Sequence, residues 1–280
     1  MPPESASPTS NALTVAMSEL REARRAVDHH SAGRTRLAEA LDSLASLYGA
    51  SGEFARAESH YLEAIQTADF IGASPELLAR LCSKLGTLYD FNQRENQAVA
   101  LYERAIEIYE GMRPPATGEA SDLHNNLAMI YKSLGRFPLA EQHYLVALEA
   151  LENKHGRNHE RVAAIYNNLG SLYYSAGHPS QARDMHTVAL GIRQKVFGPD
   201  HPEVGQSWSN LATSCYALDD DAGTQENYEK GLRILEQNLP RTAASYEQTM
   251  TDYVSVLESL GHKSKAETLL KRMAKALRRP

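Results

Sequence analysis

Asn126, Asn168 and Asn210 stand 42 residues apart, and Asn125, Asn167 and Ser209 precede them in the same step. A side-chain amide carries two donor hydrogens and an acceptor oxygen, the complement of an extended peptide backbone. A regular row of amides is therefore chemistry for holding another chain rather than for making or breaking bonds. Backbone pairing gives affinity without demanding one sequence, while neighbouring pockets select side chains. Ser43 and Lys84 begin the same row and Asp252 ends it, and Tyr174 and Tyr216 lie one turn further along. Arg80, Lys84 and Lys132 are the cations on these positions. The plain alternative for any one of these Asn residues is a bond within its own helix or to water. It is the in-phase trio that favours binding.

The residue types that perform catalysis are present without the spacing that catalysis needs. The chain has 11 His. His29-His30 reads as a surface pair at a helix end, His124 occupies a packing position equivalent to Trp208, and His155, His159 and His201 fall in loops. His159-Glu160 lacks the second His of a zinc protease. Asp219-Asp220-Asp221 lacks the ligand spacing of a calcium loop and reads as a solvated turn. Cys82 and Cys215 match no metal spacing and read as core, in a reducing compartment. No Gly-x-Ser-x-Gly, phosphate loop or dinucleotide turn occurs. The expectation is a protein that is not an enzyme and takes no cofactor or metal.

A second cluster concerns charge. Residues 263–280 hold Lys263, Lys265, Lys271, Arg272, Lys275, Arg278 and Arg279 against Glu267 alone, a local charge of +6 in a chain whose formal charge is −6. Ala266, Leu269, Leu270, Met273, Ala274 and Leu277 interleave at helical spacing, which makes a basic amphipathic helix. Its plain role is a solvating outer face for the end of the fold, with cations suited to the helix dipole. Its sharper role is attraction of Lys271, Arg272, Lys275, Arg278 and Arg279 to an acidic surface, either anionic lipid or a filament face.

The elements that must position these groups follow from repetition. Leu47-Tyr48, Leu88-Tyr89, Ile130-Tyr131 and Leu172-Tyr173 step by 41, 42 and 42 residues, and the next two steps of 42 reach Cys215 and Leu257. Ala57, Ala98, Ala140 and Ala182 run in phase to Thr224 and Ala266. Small residues three before the Tyr-type position form a third series: Ala45, Gly86, Ala128, Gly170 and Ala212, failing at Val254. Each unit reads as two helices with a Gly stop between them at Gly52, Gly135, Gly177 and Gly261. One pair cannot bury its own apolar stripe, so neighbours must stack.

The order large, small, Tyr, then Ala, aromatic, Ala (Leu127-Ala128, Tyr131, Ala140, Tyr144, Ala147; then Leu169-Gly170, Tyr173, Ala182, His186, Ala189) resembles the tetratricopeptide repeat. The 42-residue period and the loop Gly198-Pro199-Asp200-His201-Pro202-Glu203-Val204 are similar to the kinesin light chain branch. A looser copy is Gly156-Arg157-Asn158-His159-Glu160-Arg161-Val162. The resemblance implies an all-α, right-handed superhelical solenoid of about six 42-residue helix pairs, with the first helix of each lining a concave, Asn-bearing groove that holds partner peptides. It also implies, through the compact bacterial members of the branch that accompany bacterial tubulins, a tubulin-like filament partner.

The expected organisation is a disordered tail at 1–9, a capping helix at 10–31 with Ser10 as N-cap, and six repeats at 34–74, 75–116, 117–158, 159–200, 201–242 and 243–280. The mild acidity argues against nucleic acid as a partner. No apolar run is long enough to span a bilayer and no signal-peptide layout is present, so a cytoplasmic protein is expected, associated with cytoskeleton or membrane. Three functions stay open: an adaptor binding an extended peptide or a filament in its groove, a peripheral linker using the basic helix on an anionic membrane, and a peptide-sensing regulatory module. Nothing in the residues speaks to oligomeric state.

Overall fold

The computed structural model describes residues 8–26, 31–72 and 74–277. Among these, thirteen α-helices account for all regular structure. They are α1 (Pro8–Arg25), α2 (Ser31–Ala50), α3 (Phe54–Ile71), α4 (Pro75–Phe91), α5 (Glu95–Gly111), α6 (Thr117–Ser133) and α7 (Phe137–His155). Then follow α8 (Glu160–Ser175), α9 (Pro179–Phe197), α10 (Pro202–Tyr216), α11 (Asp221–Gln237), α12 (Ala243–Ser259) and α13 (Lys263–Ala276). Helices α2 to α13 form the six expected pairs. The capping helix departs from expectation in its limits: α1 begins at Pro8, so Ser10 lies inside its first turn rather than capping it, and it ends at Arg25. The first pair starts at Ser31, three residues before the expected boundary. His29 and His30 lie outside the described residues, as does the tail up to residue 7.

The chain divides into two compact units, residues 1–130 and 131–280. In the first, α2 packs chiefly on α3 and α4 on α5, and α1 covers α2 with Ala16, Leu20 and Ala23 buried. In the second, α8 packs on α9, α10 on α11 and α12 on α13.

Two pairs close through a glycine set directly against a ring. A Cβ added at Gly86 would sit 2.8 Å from Cε1 of Tyr102, and one at Gly170 would sit 2.5 Å from Cε1 of His186. These rings belong to one series, Tyr61, Tyr102, Tyr144, His186 and Tyr228, all buried. Three of the phenol hydroxyls reach back fifteen residues to the partner helix. Tyr61 meets Ser46 at 3.0 Å, Tyr102 donates to Thr87 at 3.1 Å, and Tyr228 meets Thr213 at 3.2 Å. The Tyr144 hydroxyl has no partner among the described residues, and the matching sequence position is Met129. Burial pushes that phenol far above its usual range.

The turn inside each pair also repeats. The residue four after the Tyr-type position has positive φ in all six: Gly52, Gln93, Gly135, Gly177, Asp219 and Gly261. The next amide then donates to the Tyr-type carbonyl, as in His178 to Tyr173 at 2.8 Å and Arg94 to Tyr89 at 2.9 Å. Gly was expected at four of these positions, and Gln93 and Asp219 adopt the same left-handed turn despite a Cβ. Between pairs, the loop histidines act as helix caps. Nδ1 of His159 accepts from the Arg161 amide and Nδ1 of His201 from the Glu203 amide, each at 3.2 Å. Their rings stack on His155 and Phe197.

Two outcomes follow from the ring contact. Gly170→Ala should destabilise the protein by about 1–3 kcal/mol through overpacking against His186, measured by urea unfolding; an unchanged midpoint would show that the ring moves aside freely. His186 itself is held at about 4, first by burial and then by nearby Arg193. Because its folded value is depressed, the unfolded chain binds the proton first. Stability is therefore full above about pH 6.5 and erodes as pH falls toward 4, by on the order of 2–3 kcal/mol. His186→Tyr restores the ring that Tyr102 sets against Gly86, and unfolding at pH 7.5 and pH 5 should show a flatter pH dependence than the parent.

Candidate protein-binding surface

In the first unit, Asp42 on α2 is a carboxylate only 8% exposed in its side chain. Lys84 on α4 donates to its Oδ1 at 2.6 Å and to the Ser46 hydroxyl at 3.3 Å. Nε of Arg80 lies 3.6 Å from the other carboxylate oxygen. Both cations expected to face a ligand thus converge on one buried acid, and their first task is to tie α4 to α2. On α6, Asn125 and Asn126 are half-buried. Nδ2 of Asn125 points to Oδ1 of Asn126 at 3.4 Å, and the Asn126 side chain also hydrogen-bonds the Tyr102 phenol.

The second unit repeats the device with different chemistry. Nδ2 of Asn210 on α10 donates to Oδ1 of Asn167 on α8 at 2.6 Å. Asn167 occupies the same place in its repeat as Asp42, and Asn210 the same place as Lys84. One cross-link between successive first helices is therefore made by an ion pair in one unit and by an amide pair in the other. The Tyr216 hydroxyl reaches Ser259 on α12 at 2.8 Å, and Thr249 donates to Ser209 at 3.2 Å. Lys132 donates to the Ser171 hydroxyl at 2.9 Å, and burial lowers its pKa from the ordinary lysine range. Tyr174 is 41% exposed and Asn168 half-buried.

The structure thus brings together Asn167 with Asn210, Lys84 with Arg80, and Asn125 with Asn126. It also spends part of their bonding capacity within the protein. What is spent is not everything. Asn210 keeps its second amide hydrogen and its carbonyl oxygen, and Asn167 keeps its own NH2. Cross-linking fixes the rotamer of each amide, so the remaining groups are held in place before any partner arrives. Asp42 was absent from the expected set. The signal that would have found it is its register, one place before Ser43, in the column that Asn125 and Asn167 occupy.

On α13, Lys271 and Lys275 are exposed, as is Lys263, and none has an ion-pair partner among the described residues. Arg272 differs from expectation. Its guanidinium makes two hydrogen bonds to Oε2 of Glu236 on α11, so it pins α13 to the preceding pair rather than facing outward. Lys265 does the same with Glu229 at 2.7 Å and Gln225 at 2.8 Å. Arg278 and Arg279 lie outside the described residues. No cluster of His, Cys, Asp or Glu among the described residues is arranged to hold a metal ion. No helix among the described residues is long and apolar enough to cross a membrane.

The tetratricopeptide-repeat family model matches residues 36–111 and 119–195. The crystal structure of BtubC (BKLC) from P. vanneervenii is 34% identical with a TM-score of 0.70, over 81% of this chain and 91% of that one. A putative kinesin light chain with nearly identical TPR-like repeats from Podosopora anserina is 18% identical with a TM-score of 0.64, over 76% of this chain and 100% of that one. A Rap protein complexed with competence and sporulation factor is 16% identical with a TM-score of 0.54, over 92% of this chain and 78% of that one. The last two share the fold. A comparison with curated proteins finds no match.

The amide cross-link has a thermodynamic signature. Asn167→Ala and Asn210→Ala should each cost about 0.5–1.5 kcal/mol. The double variant should lose less than the sum, because the second change removes a bond already broken. Urea unfolding of the four proteins measures the coupling, and strict additivity would mean the amides do not bond.

Proposed function

The chain belongs to the tetratricopeptide-repeat family, a scaffold for protein–protein interaction, and on that premise we propose that it is a non-enzymatic cytoplasmic adaptor whose partner is a tubulin-like filament. The filament is held by the half-buried amides of the first helices: Asn125 and Asn126 in one unit, Asn167, Asn168 and Asn210 in the other. The observation that carries the reading is the Asn210–Asn167 pair. Two amides locked in adjacent repeats offer further donors and acceptors at a fixed separation, which suits an extended segment of backbone. The 34% identity to BtubC across most of both chains supports the filament as the source of that segment, in line with the partner that the sequence resemblance implies. Tyr174 and Tyr216 supply apolar surface beside the row. Arg80, Lys84 and Lys132 take part through the geometry they impose, since Asp42 holds Arg80 and Lys84 and the Ser171 hydroxyl holds Lys132.

A second reading, a peripheral linker on an anionic membrane, is favoured by one observation. Lys263, Lys271 and Lys275 on α13 are exposed and without ion-pair partners among the described residues. Arg272 contributes less than its charge suggests because Glu236 holds it.

Co-sedimentation with assembled bacterial tubulin-like polymer, at low and at raised salt, separates the two. Saturable pelleting that persists at raised salt and weakens several-fold in Asn168→Ala/Asn210→Ala is expected for the amide row, because neutral hydrogen bonds are little screened. Pelleting abolished by salt would transfer the role to α13. Absence of pelleting at both salts, with flotation on anionic liposomes, would replace the filament reading by the membrane one.

A further inference from the structure

The histidines that cap α8 and α10 do so with an atom that acid removes. A helix N-cap is ordinarily Ser, Thr, Asp or Asn, whose side-chain oxygen accepts from an amide of the first turn. Ser74 does this for α4, accepting from the Leu77 amide at 3.3 Å, and Asp220 does it for α11, accepting from Gly223 at 2.9 Å. At α8 and α10 the acceptor is instead Nδ1 of His159 and of His201, each 3.2 Å from the amide two residues on. A backbone N–H only donates, so both Nδ1 atoms present a bare lone pair, and both rings are neutral with the proton on Nε2. The two caps stand 42 residues apart, in the same place in successive repeats, and both rings are half-buried.

Protonation of such a ring reverses its role. Nδ1–H becomes a donor facing a donor amide, and a positive charge is set at the helix end where the backbone dipoles already place positive potential. At His159 the stacked neighbour is His155 of α7, with ring centroids 4.2 Å apart, and Lys154 precedes it. The last turn of α9, which packs on α8, adds Lys195. Glu152 of α7 is engaged by Arg157 at 3.6 Å and by the Tyr166 hydroxyl, and Glu160 and Arg161 follow the cap within α8. At His201 the stacked ring is Phe197, which carries no charge. Glu203 is paired with Arg193 of α9 at 3.0 Å, Asp200 precedes the cap, and Glu236 in the last turn of α11 is held by Arg272.

We propose that His159 and His201 are a pair of acid-released caps: neutral, they close the first turns of α8 and α10, and protonated, they let both turns fray together. His is the side chain whose ordinary titration falls between pH 5 and 8, so release needs only mild acid. Val162 and Val204, both fully buried, sit in these two turns, so fraying also loosens their packing. The helices concerned are the two that carry Asn167 and Asn210. Acid therefore acts on the first helices of the second unit and spares α4, whose Ser74 hydroxyl does not titrate. The device is a property of the two helix ends and stands whether or not the partner is a filament.

Amide hydrogen exchange, followed by NMR on the isotope-labelled full chain at pH 7.5 and pH 5, is the test. Rates are expressed as protection factors, so that the pH dependence of intrinsic exchange drops out. The Arg161 and Glu203 amides report the histidine caps. The Leu77 and Gly223 amides report the caps made by Ser74 and Asp220, whose oxygens accept at either pH. Protection at Arg161 and Glu203 should fall about fivefold at pH 5, the ratio that loss of one cap implies, while Leu77 and Gly223 hold. His159→Asn/His201→Asn keeps an acceptor that does not titrate and should abolish the fall. Unchanged protection in the parent, or a fall that survives in the double variant, would overturn the proposal. An equal fall at Gly223 would overturn it too, because it would report general loss of stability through His186 rather than release of the caps.

Discussion

Every level of this molecule depends on the contact between a residue with almost no side chain and a ring on the next helix. At Gly86 and Gly170 the two helices of a pair approach until not even a methyl group fits between backbone and ring. That approach brings the Tyr61, Tyr102 and Tyr228 hydroxyls within reach of Ser46, Thr87 and Thr213, so burial of these three phenols leaves none of their hydroxyls unpaired. It also sets where the neighbouring pair must lie. Tyr228 stacks on Tyr253 of the following pair with ring centroids 4.8 Å apart. A looser contact within one pair would be passed on to the next, since in a linear array each repeat is positioned only by its neighbours.

The first helices inherit their spacing from this contact. Because α2 and α4, or α8 and α10, are set side by side, residues 42 or 43 apart in sequence come within hydrogen-bond range. The cross-link is then indifferent to chemistry. Lys84 with Asp42 and Asn210 with Asn167 do the same mechanical work. They differ in what they leave over. An ion pair with its acid buried leaves little for a ligand, whereas an amide pair leaves a donor on each side and an acceptor. The second unit therefore keeps hydrogen-bonding capacity at a place where the first has largely used it.

Much of the fold was legible because repetition averages out local ambiguity. Six helix pairs follow from three phased series. What escaped was local. Gln93 and Asp219 carry the same left-handed turn as four glycines, and a search for Gly alone passes over them, since the hydrogen bonds to the Tyr-type carbonyls hold the turn. His159 and His201 read as loop residues, and their role as caps depends on which ring nitrogen faces the next helix. Ser10 marked the start of α1 by residue type, but Pro8 also suits a first turn, where its missing N–H is no loss. At the candidate site, the row of amides was visible in the sequence while their mutual bonds were not. Register shows which residues share a face, not which of them touch. Arg272 illustrates the same limit: composition counts it among free cations, and Glu236, thirty-six residues earlier, removes it from that count.

Partial commitment of the amide row is better suited to binding than full freedom would be. A free surface amide samples several rotamers and loses that freedom when it binds, at roughly 0.5–1.5 kcal/mol for each immobilised side chain. Asn167 and Asn210 have already lost it within the folded protein. Their remaining donors and acceptor are fixed in direction, so a partner segment gains nearly the full benefit of each bond it forms.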